Sequence, residues 1–234
     1  MQNRLKVLIA CEESQRVCKE FRLLDHEAYS CDILEPSGGR PEWHILGDCL
    51  KILGGGNFQT MDGETHFVEK WDLLIAHPPC TYLSNAGATR LYHGKDIVTF
   101  QNTNYRLMNE ERVKKGIIAR DFFLALYNAN VDRVAVENPT PSKLWQLPEY
   151  SQAIQPYEYG HPYTKRTCLW LKGLKKLRPT NIVEPTTVWV SVNTKREKPG
   201  EKFRDPKIRS KTFPGIAKAM AKQWSDFILN ERGD

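Results

Sequence analysis

Four short strand-like runs, each stopped by polar or proline residues, constrain this chain more than any other feature. They are residues 5–10 before Cys11-Glu12, 26–31 before Asp32, Leu73–Ala76 before His77-Pro78-Pro79-Cys80, and 133–136 before Glu137-Asn138-Pro139. The most apolar of them, 5–10 and Leu73–Ala76, show no clean alternation and suit strands buried on both faces of a parallel sheet. Between the first two, Val17, Phe21 and Leu24 recur at helical spacing, so the chain opens as a βαβ unit. The expected fold is α/β: a doubly wound, Rossmann-like sheet in three layers. Its polar strand ends would then meet in one crevice although they lie far apart in sequence.

The rest of the chain fits this plan. Gly54 to Gly56 form a glycine loop, Asp62-Gly63 a hairpin turn, and Asn109 with Glu110 and Glu111 a helix start continued by Val113, Ile117 and Leu124. Residues 167–171 and 187–192 read as further strands. Pro214 opens a last helix with Ile216, Met220, Trp224 and Phe227 on one face. At 234 residues one domain is expected: a core over 1–171, a basic arm over 172–211, and a final helix over 212–234 packing back on the core.

Charge is uneven. Residues 165–211 hold fourteen Lys or Arg against four acids, a segment of +10, while the remainder is −4. Such an arm fits a polyanion, with Lys195, Arg196, Lys198, Lys202, Arg204 and Arg209 as its candidate contacts; DNA is expected and RNA stays open. Six cysteines without a CxxC pair suggest neither a disulfide framework nor a zinc site. The apolar start is too short for a signal peptide and no run reaches membrane-spanning length, so a cytoplasmic monomer without a membrane is expected.

Two proline rings end the strand before Cys80 and stiffen the loop that carries it, because neither nitrogen donates a hydrogen bond. A thiol held there is placed for chemistry. Asp32, closing the second strand, is placed to accept from a ribose hydroxyl, and Asp48 follows Gly47 at a turn.

The order of these pieces resembles the DNA cytosine-5 methyltransferases that use S-adenosylmethionine. DLLIAHPPCTYLSNAG matches their nucleophile motif through Asp72, Pro79, Cys80, Ser84 and Gly87, and VAVENP matches their Glu-Asn-Val motif through Glu137 and Asn138. YGHPYTKRTCLWLKG at 159–173 and KTFPGIAKAMAKQW at 211–224 resemble later motifs in the right order. The resemblance implies a catalytic set of Cys80, Glu137 and Asn138, with S-adenosylmethionine as cofactor. It places Ser84, Lys165, Arg166 and Thr167 toward the substrate base, and Cys11, Glu12, Ser14, Asp32, Asp48 and Pro79 toward the cofactor.

The chain departs from that family at the glycine-rich first loop, here CEESQR, where Glu12, Glu13 and Ser14 would meet the cofactor's ammonium group. The glutamine after the nucleophile is Thr81, and Gln-x-Arg-x-Arg reads Tyr163, Lys165, Thr167, leaving Lys165 or Arg166 to contact the base's carbonyl oxygen. About forty residues stand where a full recognition domain would be. An amino methyltransferase is the alternative enzyme, since HPPC also resembles an Asp-Pro-Pro-Tyr motif. A nucleic-acid or S-adenosylmethionine binder without catalysis is the alternative outside enzymes.

Overall fold

In a computed structural model that describes residues 4–188 and 206–233, the apolar runs become strands of one seven-stranded sheet. The strands are β1 (Lys6–Ala10), β2 (Glu27–Asp32), β3 (His44–Leu46), β4 (Leu73–Ala76), β5 (Val134–Pro139), β6 (Gln152–Ile154) and β7 (Thr167–Lys172). Their order is β6-β7-β5-β4-β1-β2-β3, parallel throughout except for β7, which runs against both neighbours. The fold is therefore mixed α/β with a mostly parallel sheet, compatible with a doubly wound, Rossmann-like arrangement. The chain leaves β1 toward β2 and β3, then returns to place β4 on the other side, so the order reverses between β1 and β4. In an open α/β sheet such a switch opens a crevice above the carboxyl ends.

Both sheet faces are covered, which is why β1 and β4 are apolar without alternation. Leu8, Ala10, Leu74, Ala76, Val134 and Val136 face one core, closed by α2 (Glu110–Tyr127) through Phe123 and Leu126. Val7, Ile9, Leu73, Ile75 and Ala135 face the other, covered by α1 (Arg16–Leu23) and α3 (Pro214–Glu231), the latter through Ile216, Met220, Trp224 and Ile228. Asn109 caps α2, its side-chain oxygen accepting from the Arg112 N–H at 2.9 Å.

Some expectations shift. Ile117 is 40% exposed, because α2 turns Gly116 rather than Ile117 inward, against the Trp145 ring. Leu24 is exposed because α1 ends before it. The Asp62-Gly63 turn joins a hairpin of Gly56–Gln59 and Thr65–Val68. A second hairpin, Tyr92–Phe100 with Thr103–Met108, turns on Gln101 and Asn102, both with positive φ. Residues Thr187–Val188 pair with Tyr163–Thr164, and residues 189–192 of the expected strand lie outside the described residues. Lys172 belongs to β7, and the segment after it packs on the core: Trp224 Nε1 donates to the Lys175 carbonyl at 3.0 Å and Leu177 is buried. Among the described residues no helix is long and apolar enough to cross a membrane.

Gly116 ties this packing to the nucleophile loop, since the Trp145 indole that covers it also donates to the Tyr82 carbonyl at 2.8 Å. A methyl group at 116 would run into that ring. Gly116→Ala is expected to lower stability by about 1–3 kcal/mol, the cost of an overpacked core. Urea unfolding measures it, and an unchanged midpoint would refute the close contact.

Candidate active site

Strand register lines up the polar clusters. Ala10 pairs with Cys31 and with Ala76, and Ala76 with Val136. The next residues, Asp32, Cys11, His77 and Glu137, therefore stand at the same level at the ends of four neighbouring strands.

Past this row, where Pro78 and Pro79 donate no hydrogen bond, the loop is pinned through its carbonyls. Asn138 Nδ2 donates to the Pro78 carbonyl at 2.9 Å, so Asn138 acts first as a clamp between β5 and the loop. Ser84 N–H donates to the Cys80 carbonyl at 3.1 Å, Arg112 Nη2 to the Thr81 carbonyl at 3.1 Å, and Ser142 N–H to the Leu83 carbonyl at 2.8 Å. Gly87 is required by close approach, since a Cβ there would sit 2.6 Å from the Thr81 carbonyl oxygen. Ser84, expected at the substrate, is nearly buried and accepts from the Gly87 N–H at 3.3 Å, which gives it a loop-shaping role.

This frame presents Cys80 at the surface as a free thiol. Surrounding protein atoms and then the Glu137 charge push the thiol up, while the Lys165 and Arg209 cations pull it down, with a net rise. Burial also pushes Glu137 up, but the His77 hydrogen bond and the Lys165 and His77 charges outweigh it and hold the carboxyl below the usual range. His77 Nδ1 lies 3.2 Å from Glu137 Oε2. The Lys165 ammonium donates to the Arg209 carbonyl at 3.0 Å, drawing the short helix Pro206–Ser210 to the site.

Lys165 and Arg166 part company here. Lys165 acts on both Cys80 and Glu137, whereas Arg166 donates to the Tyr150 hydroxyl at 2.7 Å and lies over its ring. Thr167 is buried at the start of β7, where its hydroxyl donates to the Lys165 carbonyl at 3.2 Å. Of the candidate nucleic-acid contacts Arg209 is in the site, while Lys195, Arg196, Lys198, Lys202 and Arg204 lie outside the described residues.

On the other half of the row, Asp32 Oδ1 accepts from the Leu34 N–H and Asp48 Oδ1 from the Leu50 N–H, each at 3.0 Å. Burial pushes the Asp32 carboxyl up. Beside these acids Ile33 is 76% exposed, and Leu34 and Leu46 are exposed too. Cys11 has positive φ and places its sulfur 4.0 Å from that of Cys49; that contact and burial hold its thiol well above the ordinary range. Pro79 is exposed.

Glu12 differs from expectation. It is buried and its two carboxylate oxygens accept from the Val17 N–H at 2.6 Å and the Cys18 N–H at 3.1 Å, capping α1 because Gln15 at the helix start offers no side-chain cap. Both oxygens are thus engaged in structure, with Ser14 also bonded to this carboxylate. The acid left nearer the surface is Glu13, 3.6 Å from the Lys211 ammonium.

The residue at this site that sequence reading set aside is His77, whose bare sequence context is that of an ordinary loop histidine. Its signal was positional: it directly follows a central strand, level with Glu137 on the next. Among the described residues no cluster of three or more His, Cys, Asp or Glu could hold a metal ion. No protein-family model matches the chain, and no curated protein matches it.

Proposed function

We propose that this protein transfers a methyl group from S-adenosylmethionine to carbon 5 of cytosine in DNA, on a doubly wound methyltransferase sheet. The observation that carries the reading is the meeting of an exposed Cys80 with Glu137 and Lys165 at the ends of adjacent strands β4 and β5. The residues toward β2 and β3 fit the cofactor: Asp32 offers a carboxylate for ribose hydroxyls, and exposed Ile33, Leu34 and Leu46 offer apolar surface for a base. When bound, S-adenosylmethionine supplies an electrophilic methyl group.

Cytosine carbon 5 is a poor nucleophile until a thiolate adds at carbon 6. Cys80 supplies that sulfur as the thiolate, the reactive form. Moving one proton from Cys80 to Glu137 runs uphill in the free protein, where the thiol is held up and the carboxyl down, and it is drawn forward as sulfur adds to carbon 6 and Glu137 passes the proton to ring nitrogen 3. Lys165 stabilises negative charge on sulfur and on the base. After carbon 5 loses its proton to solvent, sulfur leaves carbon 6 and the ring nitrogen returns its proton to Glu137. Carbon 6 is inaccessible in a stacked duplex, so the base must be flipped out, at a cost of a few kcal/mol.

The test is to incubate the protein with labelled S-adenosylmethionine and unmodified DNA, digest, and identify the labelled nucleoside by mass. Labelled 5-methylcytosine is expected. A label on an exocyclic amine would move the protein to amino methyltransferases, and no transfer to DNA would overturn the reading. The partner is tested by reversing the charges of Lys195, Arg196 and Lys198. DNA binding is expected to weaken and its dependence on salt to flatten by nearly one unit of slope for each phosphate that is no longer neutralised. An unchanged slope would remove the arm from the interface.

A further inference from the structure

We propose that His77 is a positioning residue that decides which oxygen of Glu137 carries the catalytic proton; the proposal rests on the methyltransferase reading of Cys80 and Glu137. The imidazole is side by side with the carboxylate on neighbouring strands, Nδ1 to Oε2 at 3.2 Å, and the side chains are only 9% and 15% exposed. The backbone that carries the imidazole is fixed: the His77 main-chain N–H donates to the Ala10 carbonyl at 3.0 Å, and the Pro78 carbonyl beside it is held by Asn138 at 2.9 Å.

The consequence is geometric. A carboxylate oxygen only accepts, so the facing Nδ1 is the nitrogen that donates. A carboxyl's carbonyl oxygen accepts a hydrogen bond better than its hydroxyl oxygen does, so the N–H on Oε2 keeps that oxygen as the carbonyl and favours protonation at Oε1. Among the described residues no other hydrogen bond reaches the Glu137 carboxylate, which leaves Oε1 to serve the base. Nε2 is buried without a hydrogen-bond partner among the described residues, and the charge behind His77 is the buried carboxylate of Glu12. The other charged or titratable groups at this pair are Cys80 and Lys165, which act on it through Glu137.

Three variants separate this role from packing. His77→Leu removes the donor, and His77→Asn keeps an N–H near the Nδ1 position. His77→Gln places its amide near the Nε2 position and stands in for leucine should that variant not fold. Methyl transfer is expected to lose about ten- to a hundredfold in kcat in His77→Leu, the worth of one hydrogen bond to a charged group. KM for DNA should stay within about twofold, and His77→Asn should recover most of the loss. Carbon-13 titration of Glu137 should move to higher pH in His77→Leu. Equal losses in all three variants, a loss confined to KM, or unchanged kcat in His77→Leu would overturn the role alone. A wild type that transfers no methyl to cytosine would overturn the parent reading and this role with it.

Discussion

Cys80→Ala is expected to reduce methyl transfer to background while DNA binding survives. The sulfur is the only protein group in the proposed reaction that forms a covalent bond to the base, and no neighbour can replace it: Lys165 is committed to the Arg209 carbonyl and His77 to Glu137. The substitution should not disturb the loop, because the bonds that hold it run through backbone carbonyls of residues 78 and 80–83 and not through the thiol. Filter binding with unmodified DNA and the labelled-methyl assay read the two halves separately. Near-normal transfer by Cys80→Ala would end the nucleophile assignment.

Glu137→Gln carries the second large effect, and it separates two quantities that usually fall together. Turnover should drop by about a hundredfold to ten-thousandfold, the worth of a positioned acid. Reactivity of Cys80 toward iodoacetamide at fixed pH should rise, because the substitution removes a negative charge that holds the thiol up while Lys165 and Arg209 remain. A fall in both would mean that the substitution had disordered the loop. A rise in reactivity with turnover intact would mean that Glu137 tunes the thiol but gives no proton to the base.

Much of the fold was legible because strands buried on both faces leave a clear mark. Leu73–Ala76 appears with the expected bounds, and the other central strands within a few residues. Proline and asparagine marked where α3 and α2 begin, since each signal acts within one turn. The hairpin over Tyr92–Phe100 and Thr103–Met108 left no comparable mark: it turns on Gln101-Asn102, without the glycine that marks the Asp62-Gly63 turn. The inward face of α2 was misread at Ile117 because Gly116, with no side chain, is where the Trp145 ring lies closest.

At the site, sequence alone determined which chemical groups stand at strand ends: a thiol behind two prolines, a Glu-Asn pair, and acids after β2 and β3. Their placement follows from local backbone chemistry, so it could be read residue by residue. Only the tertiary structure decided which of them work on one another. Register set His77 beside Glu137, the unfilled start of α1 drew Glu12 inward, and β7 sent Lys165 toward Cys80 and Arg166 toward Tyr150. The physical reason is range: a cap or a proline acts over a few residues of chain, whereas a hydrogen bond between neighbouring strands joins residues 60 positions apart and appears only once both strands pack into one sheet.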